Sequence, residues 1–251
     1  MSKPLLDHQI KERCATCPIR DRAVCTYSSE DEIARLESIK FYRNYEPGQE
    51  IVAAGENVEF LGSLVEGVVS LSKTMSDGRR QMVGLMFASD FLGRPMRNSV
   101  PYDAVAITPV RLCLFRRRQF EKVMMETPSI ERRLLEMMLD ELDAARDWML
   151  LLGRKTAREK IASFLVIIAR RTALKASGNG AEGKELELEL PITREAMADY
   201  LGLTIETVSR QFTALRKAGI IVLSDARRVR VPDLMALMDA AGEDGDGGLV
   251  A

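Results

Sequence analysis

Between Ser129 and Leu152, apolar or small residues recur in alternating steps of three and four: Leu135, Met138, Leu142, Ala145, Met149 and Leu152. On a helix this spacing aligns one narrow seam, suited to a partner helix. Charged residues fill the flanks (Glu131, Arg132, Arg133, Glu136, Asp140, Glu141, Asp143, Arg146, Asp147), as a solvated face requires. Pro128 suits the first turn of this helix and Gly153 its stop. Two readings fit, a helix packed on its own domain or one half of a dimer seam. The segments on either side favour the dimer seam.

Upstream, over residues 41–127, the hydrophobic period shortens toward two. Val68–Ser72 and Gln81–Phe87 flank Asp77-Gly78, a strong hairpin signal. Further turn residues at Pro47-Gly48, Gly55-Glu56-Asn57, Gly62, Gly67 and Asp90 predict several short strands, hence an antiparallel sandwich or jelly roll. In the last strand, Val110, Leu112 and Leu114 share one face, and Cys113 lies on the other with Arg111 and Phe115. A short helix over Gln119–Glu126 leads to Pro128.

Downstream, Thr156–Arg171 has the pattern of a second amphipathic helix, with Ile161, Phe164, Leu165 and Ile168 as its core face. A glycine-rich loop, Ala176–Gly183, precedes an alternating strand, Leu186–Leu190. Thr193 then caps a helix that runs to Leu201, with Glu195 in its first turn. Gly202 breaks it, Thr204 caps the next, and Gly219 ends that one. Ala198, Gly202 and Val208 supply the small residue at the crossing, the turn glycine and the packing anchor of a helix-turn-helix. Ile220–Leu223 and Val229–Val231, joined by Ser224–Arg228, predict a two-stranded wing with a basic tip. The fold class is therefore α+β: a β-roll sensor domain, a long dimerisation helix and a winged helix-turn-helix. The expected divisions are a cysteine-bearing segment (1–40), the roll (41–127), the helix (128–153), the winged domain (154–235) and an acidic flexible tail (236–251).

Chemistry enters through four cysteines. The 251 residues are 46% hydrophobic and 29% charged, with no apolar run near bilayer length and no leader core after Met1. This predicts a cytoplasmic protein, where four thiols favour metal or redox chemistry over disulfides. Cys14-x-x-Cys17 brings two thiolates into one turn, and Cys25 follows seven residues after Pro18. Cys113 is the one other candidate for a fourth ligand. Arg13, Arg20 and Arg22 are expected to lower the thiol pKa values and offset thiolate charge. The residues alone leave chance proximity, a four-thiolate zinc site and an iron–sulfur cluster open. Zinc is the poorer fit, because Cys25 and Cys113 form no second close pair. His8, the one histidine, is set aside as a solvated side chain.

Net charge is −1, so there is no global basic excess. Locally, Pro191–Val231 carries seven basic residues, Arg194, Arg210, Arg216, Lys217, Arg227, Arg228 and Arg230, against four acids. From Pro232 onward there are five acids and no base. Glu206, Ser209 and Arg210 share one face in the first turns of the second helix, where a recognition helix meets base edges. Arg210 can grip guanine O6 and N7, and Glu206 can accept from a cytosine amino group. Thr193, Thr204, Thr207, Lys217, Arg227 and Arg228 are candidate phosphate contacts. No nucleophile or acid–base constellation supports an enzyme.

Over nearly its whole length the chain resembles the CRP/FNR family of bacterial transcription regulators, most of all its iron–sulfur oxygen-sensing, FNR-type branch. The resemblance rests on the cysteine set, on Leu150–Lys155 and on Tyr200–Arg210. It implies that Cys14, Cys17, Cys25 and Cys113 hold an oxygen-labile 4Fe-4S cluster favouring a DNA-binding homodimer. It further implies that Glu206, Ser209 and Arg210 read two-fold TTGAT-type sites in double-stranded DNA, controlling genes of anaerobic or microaerobic metabolism. The loop Met75–Arg80, with Asp77 and Gly78 at its tip, resembles the family surface that touches the σ subunit of RNA polymerase; the α subunit is the other expected polymerase contact. There are two departures. The Cys17–Cys25 gap is longer than in the best-known branch, and Ala145 replaces a seam acid whose repulsion weakens the cluster-free dimer there. The family's cyclic-nucleotide relatives need a glutamate after glycine and an Arg-Ser/Thr-Ala run. Gly93-Arg94-Pro95-Met96 and Ser99–Asp103 lack both, so neither a cyclic nucleotide nor a membrane is an expected partner.

Overall fold

The computed structural model describes residues 13–176 and 186–242. The predicted loop Ala176–Gly183, His8 and the end of the predicted tail lie almost wholly outside them. The chain divides into two compact units, with the boundary between Leu139 and Asp140.

The first unit begins with one 3₁₀ turn, Cys14–Thr16, and helix α1, Glu30–Ile39. Helix α1 was not foreseen. Its start is a capping box: the Ser29 hydroxyl accepts from Glu32 N–H, and the Glu32 carboxylate accepts from Ser29 N–H. Eight strands follow: β1 (Lys40–Tyr45), β2 (Glu50–Val52), β3 (Phe60–Glu66), β4 (Val69–Thr74), β5 (Arg80–Met86), β6 (Phe91–Leu92), β7 (Asp103–Ala106) and β8 (Val110–Arg116). They form two four-stranded antiparallel sheets, ordered β1-β8-β3-β6 and β2-β7-β4-β5, the expected roll. Its interior holds Leu64, Val69, Met86, Leu92, Val100, Ala104, Val110, Leu112 and Leu114. Alternation on β8 turns Cys113 and Phe115 to the outer face of the first sheet, where they join Leu61 and Val65. That face is covered by the cysteine loop, α1, helix α2 (Arg117–Met125) and the start of helix α3 (Pro128–Arg154). Helix α2 starts two residues earlier than predicted. Helix α3 passes through Gly153, the predicted stop, which lacks the positive φ of a helix-ending glycine.

The second unit contains the end of α3, helix α4 (Ala157–Ala176), strand β9 (Leu186–Glu189), helices α5 (Arg194–Leu201) and α6 (Ile205–Lys217), strands β10 (Val222–Leu223) and β11 (Arg228–Val231), and helix α7 (Leu234–Ala240). Its core is Ile161, Phe164, Leu165, Val166, Leu188, Met197, Val208, Phe212 and Leu215. Trp148 stacks on Tyr200 at 4.0 Å, fixing the last turns of α3 to α5. Two expectations need correction. The wing has three strands, because β11 pairs with β9 as well as β10. And α7, capped by Asp233 and anchored by buried Leu237, occupies the start of the predicted flexible tail. No helix among the described residues is long and apolar enough to cross a membrane.

Candidate metal centre and nucleic-acid interface

The fold brings the loop cysteines to the outer face of β8. Cys17, Cys25 and Cys113 pack against one small apolar cluster, Ile19, Ala23 and Val65. Cys25 and Cys113 also meet a second cluster, containing Val24, Leu36, Phe115 and Phe120. Cys14 sits beside them, its Sγ accepting a 3.2 Å hydrogen bond from Lys40 Nζ at the start of β1. Two residues on, Tyr42 is the cross-strand partner of Cys113. All four thiols are free and half-buried.

Their electrostatics point the same way. Burial, then the neighbouring Cys17 and Cys14, push the Cys25 thiol up to about 11. Burial, then Cys14 and Cys17, push Cys113 up to about 12. Burial and the neighbouring sulfurs therefore both oppose ionising Cys25 and Cys113. The expected lowering by arginines is overturned for Cys25, where Arg20 acts less than burial and the neighbouring thiols. Arg22 instead pairs with Asp21. Lys40 is a cation that bonds one of these sulfurs, Cys14 Sγ. Burial alone would loosen its proton, yet Cys14, with Tyr42 and Glu37, holds its pKa above the ordinary lysine value.

One local feature leaves a hydrogen-bond partner to be supplied in this place, and another sets how closely the strands approach. Ser63 faces Cys113 across the β3–β8 ladder, 3% exposed, and its hydroxyl has no partner. A side chain at Gly62 would strike the Cys113 carbonyl oxygen, so glycine lets β3 lie close beneath it. Among the described residues, no three His, Cys, Asp or Glu side chains are close enough to hold a single metal ion. The four soft sulfur donors are chemically suited to an iron–sulfur cluster, in which each would bind a different iron.

The thiol pocket adjoins the long helix. Ile130 and Leu134 of α3 belong to the same apolar cluster as Cys25 and Cys113. Arg133 Nη2 donates to the carbonyl of Arg22 at 2.8 Å, and Ser129 Oγ donates to Glu32 at 3.0 Å. The predicted seam lies apart from these contacts. Leu135, Met138, Leu142 and Met149 are 46–66% exposed, and Ala145 is exposed too. Leu139 and Leu150, which the narrow seam pattern omits, widen the stripe. Leu152 alone is partly taken up, with its Cδ2 beside Gly202.

In the second unit, Thr193 and Thr204 cap α5 and α6, accepting from Ala196 N–H and Thr207 N–H. Gly202 takes a left-handed conformation (φ +61°), the sharp turn a helix-turn-helix requires. Lys160 Nζ closes the end of α5 on the Leu201 carbonyl at 3.2 Å. Glu206, Ser209 and Arg210 are all exposed. Glu206 and Arg210 form no ion pair among the described residues; Arg210 Nη2 instead lies 3.5 Å from Thr207 Oγ1. The α6 backbone N–H and the Thr204 hydroxyl hold the Glu206 carboxyl below its usual range, so it is an acceptor. Lys217 lies further along the exposed face. At the wing tip, Asp225 accepts from the N–H groups of Arg227 and Arg228, leaving both side chains exposed. Arg194 departs from the predicted basic patch. Its guanidinium stacks 3.1 Å from the Phe212 ring centre, and burial lowers its pKa to about 10.

In the first unit, Asp77 and Gly78 form the tip of the β4–β5 hairpin, with Asp77 paired to Arg79 at 2.8 Å and Met75 exposed. Where the cyclic-nucleotide relatives need their anion-binding run, Val100 is buried in the roll and Tyr102 packs on the same core.

Sequence comparison agrees with both halves. Residues 159–240 match the family of Crp-like helix-turn-helix domains, and residues 42–127 match that of cyclic nucleotide-binding domains. The transcriptional activator protein FnrL of Cereibacter sphaeroides is 56% identical over 242 residues, 96% of each chain, a span that takes in the cysteine loop. The nitrogen fixation regulation protein FixK of Bradyrhizobium diazoefficiens is 37% identical, covering 84% of this chain and 86% of its own. Among solved structures, FixK2 from Bradyrhizobium japonicum superposes with a TM-score of 0.72 at 33% identity, over 83% of this chain and all of that one. These relatives are regulators rather than enzymes. With roll, long helix and helix-turn-helix all matched, the chain belongs to the CRP/FNR family as a DNA-binding transcriptional activator of its FNR/FixK group.

Proposed function

We propose that this protein is an oxygen-responsive activator in which Cys14, Cys17, Cys25 and Cys113 hold an oxygen-labile 4Fe-4S cluster. Loaded, it pairs as a homodimer through α3 and binds two-fold TTGAT-type sites in genes of anaerobic or microaerobic metabolism. The observation that carries this reading is the packing of Cys17 and Cys25 with Cys113 on the face that α3 helps to cover, with Cys14 held beside them by Lys40. When bound, the cluster would supply the sensitivity to oxygen.

The residues do the rest. Ligation fixes the loop against β8, and the loop holds α3 through the Arg22 carbonyl and Arg133. Moving a two-state equilibrium from 1:99 to 99:1 takes about 5.5 kcal/mol. Thiolate–metal sites couple about 10–16 kcal/mol to folding, enough to set the state of the helix. Exposed Leu135, Met138, Leu142 and Met149 then find their partner in a second copy. A dimer places two α6 helices in successive major grooves, about 34 Å apart. The one G·C pair of a TTGAT half-site offers guanine to Arg210 and the cytosine amino group to Glu206. The threonine caps, Lys217, Arg227 and Arg228 hold phosphates, and the Asp77-Gly78 tip meets the σ subunit of polymerase, with the α subunit as its other contact. On this reading the roll takes no cyclic nucleotide, since Val100 and Tyr102, in the stretch where the anion-binding run would stand, pack on its core. The site of action is the cytoplasm, with the chromosome.

Anaerobic purification tests this directly. A brown protein with iron and sulfide in cluster ratio, bleaching in air and dimerising when loaded, is expected. Colourless, air-indifferent, zinc-containing protein, or sedimentation unchanged by cluster loss, overturns it.

A further inference from the structure

A buried ammonium group beside the thiols has no part in ligation itself. The Lys40 side chain is 8% exposed, and its Nζ lies 3.2 Å from Cys14 Sγ and 3.4 Å from Glu37 Oε1. That same carboxylate oxygen accepts the Cys14 backbone N–H at 3.1 Å. Glu37 thus holds both ends of one contact, the loop at Cys14 and the lysine that donates to its sulfur. Lys40 also lies over the Tyr42 ring at 5.4 Å, and Tyr42 is paired across the strands with Cys113.

A buried charge is costly unless a strong partner meets it. Glu37 is a shared and half-exposed partner, its side chain 39% accessible. The nearer partner is sulfur. A neutral thiol is a weak acceptor, whereas a metal-bound thiolate is a charged one, so the Lys40 bond strengthens when Cys14 is a ligand. Hydrogen bonds to sulfur, and charge near it, tune iron–sulfur centres, and removing a ligand's partner typically costs about 10–100-fold in affinity.

We propose that Lys40, anchored by Glu37, is a positioning residue that donates to Cys14 Sγ in the loaded centre and sets how tightly the centre is kept. This rests on the four cysteines being the cluster ligands. It adds what their spacing does not contain: a cation on β1, outside the cysteine loop, that neutralises the ligand nearest the start of the chain.

The test uses full-length protein loaded anaerobically with iron and sulfide, then challenged with an iron chelator without oxygen. Lys40→Met is expected to lose iron about 10-fold faster than wild type or more, and to shift the iron–thiolate stretching bands in resonance Raman spectra. Lys40→Arg, which keeps the charge, recovers part of the difference, and Glu37→Gln falls between. Arg43→Met is the control: it removes a cation from the same strand, but one stacked over Phe41 and Phe60 on the opposite face. Lys40→Met indistinguishable from wild type, or Arg43→Met equally fast, overturns the proposal. Should Lys40→Met not fold, Glu37→Gln decides alone: faster loss supports, unchanged loss overturns. Wild-type protein that takes up no iron defeats the cluster reading first, and is recognised as a separate failure.

Discussion

The DNA reader and the thiol pocket are held together in different ways. The reader takes its caps, turn glycine and base-facing side chains from one unbroken run, Thr193–Gly219, and its own core closes it: Val208, Phe212 and Leu215 are buried, and Lys160 ties down the end of α5. The thiol pocket draws on a loop, β1, β3, β8 and the start of α3, and it retains a partnerless hydroxyl at Ser63 and two thiols whose burial opposes ionisation. One region is complete without a ligand; the other, on the proposed reading, is completed by one. A regulator needs this asymmetry, because the part that changes state must be the part whose interactions are unfinished.

The sharpest break between them comes from the pocket. Cys113→Ser removes the one proposed ligand outside the loop. Bound iron should be lost entirely, by iron and sulfide analysis of anaerobic protein, while the helical content of the second unit stays intact. Retained iron would show that the loop binds without β8 and would end the comparison. Next in size is the seam. Leu142→Glu places two like charges across the two-fold axis, at a residue already 46% exposed, so folding changes little. Such juxtaposition costs several kcal/mol, and the dimer constant should weaken roughly 100-fold or more by sedimentation, with iron unchanged.

Within the reader, effects are smaller and more selective. Arg210→Ala should cost about 1–3 kcal/mol on a two-fold TTGAT site and erase discrimination at its G·C pair. Lys217→Ala should weaken all sequences alike and lower the salt slope by about one. Titrations at several salt concentrations separate the two. If Arg210→Ala weakened every sequence equally, its role would be phosphate binding, and the Glu206–Arg210 face would lose its reading function.

These contrasts explain what the sequence disclosed. Thr193, Gly202 and Thr204 act on neighbours in the chain, so the helix-turn-helix was legible to the residue. Alternation on β8 likewise set Cys113 apart from Leu112 and Leu114. What covers that outer face was not legible, because Lys40, Ser63 and Arg133 reach it only through tertiary packing. Arg194 was counted as a surface cation, but Phe212, its ring partner, comes from the next helix. The five acids after Pro232 hid α7, although Asp233 was an adequate cap signal.

Helix α1 is the instructive middle case, since its signal was local and its consequence is not. Ser29-x-x-Glu32 is a capping box, and in the chain it stands next to the cysteine loop. Glu32 also accepts from Ser129 Oγ at the start of α3, so the cap of one helix is joined to the root of the other. Ser29→Ala should cost only about 1 kcal/mol, lowering the unfolding temperature by about 2–4 °C, with iron content unchanged. If the cap is merely a cap, loaded and cluster-free protein lose the same amount. If α1 helps transmit loop order to α3, the loss is larger in the loaded protein, where the loop is fixed and the Glu32–Ser129 link is under load. Thermal scans of both forms, compared within one variant, therefore decide whether α1 adds a tie to the long helix beyond the Ile130 and Leu134 packing and the Arg133 hydrogen bond.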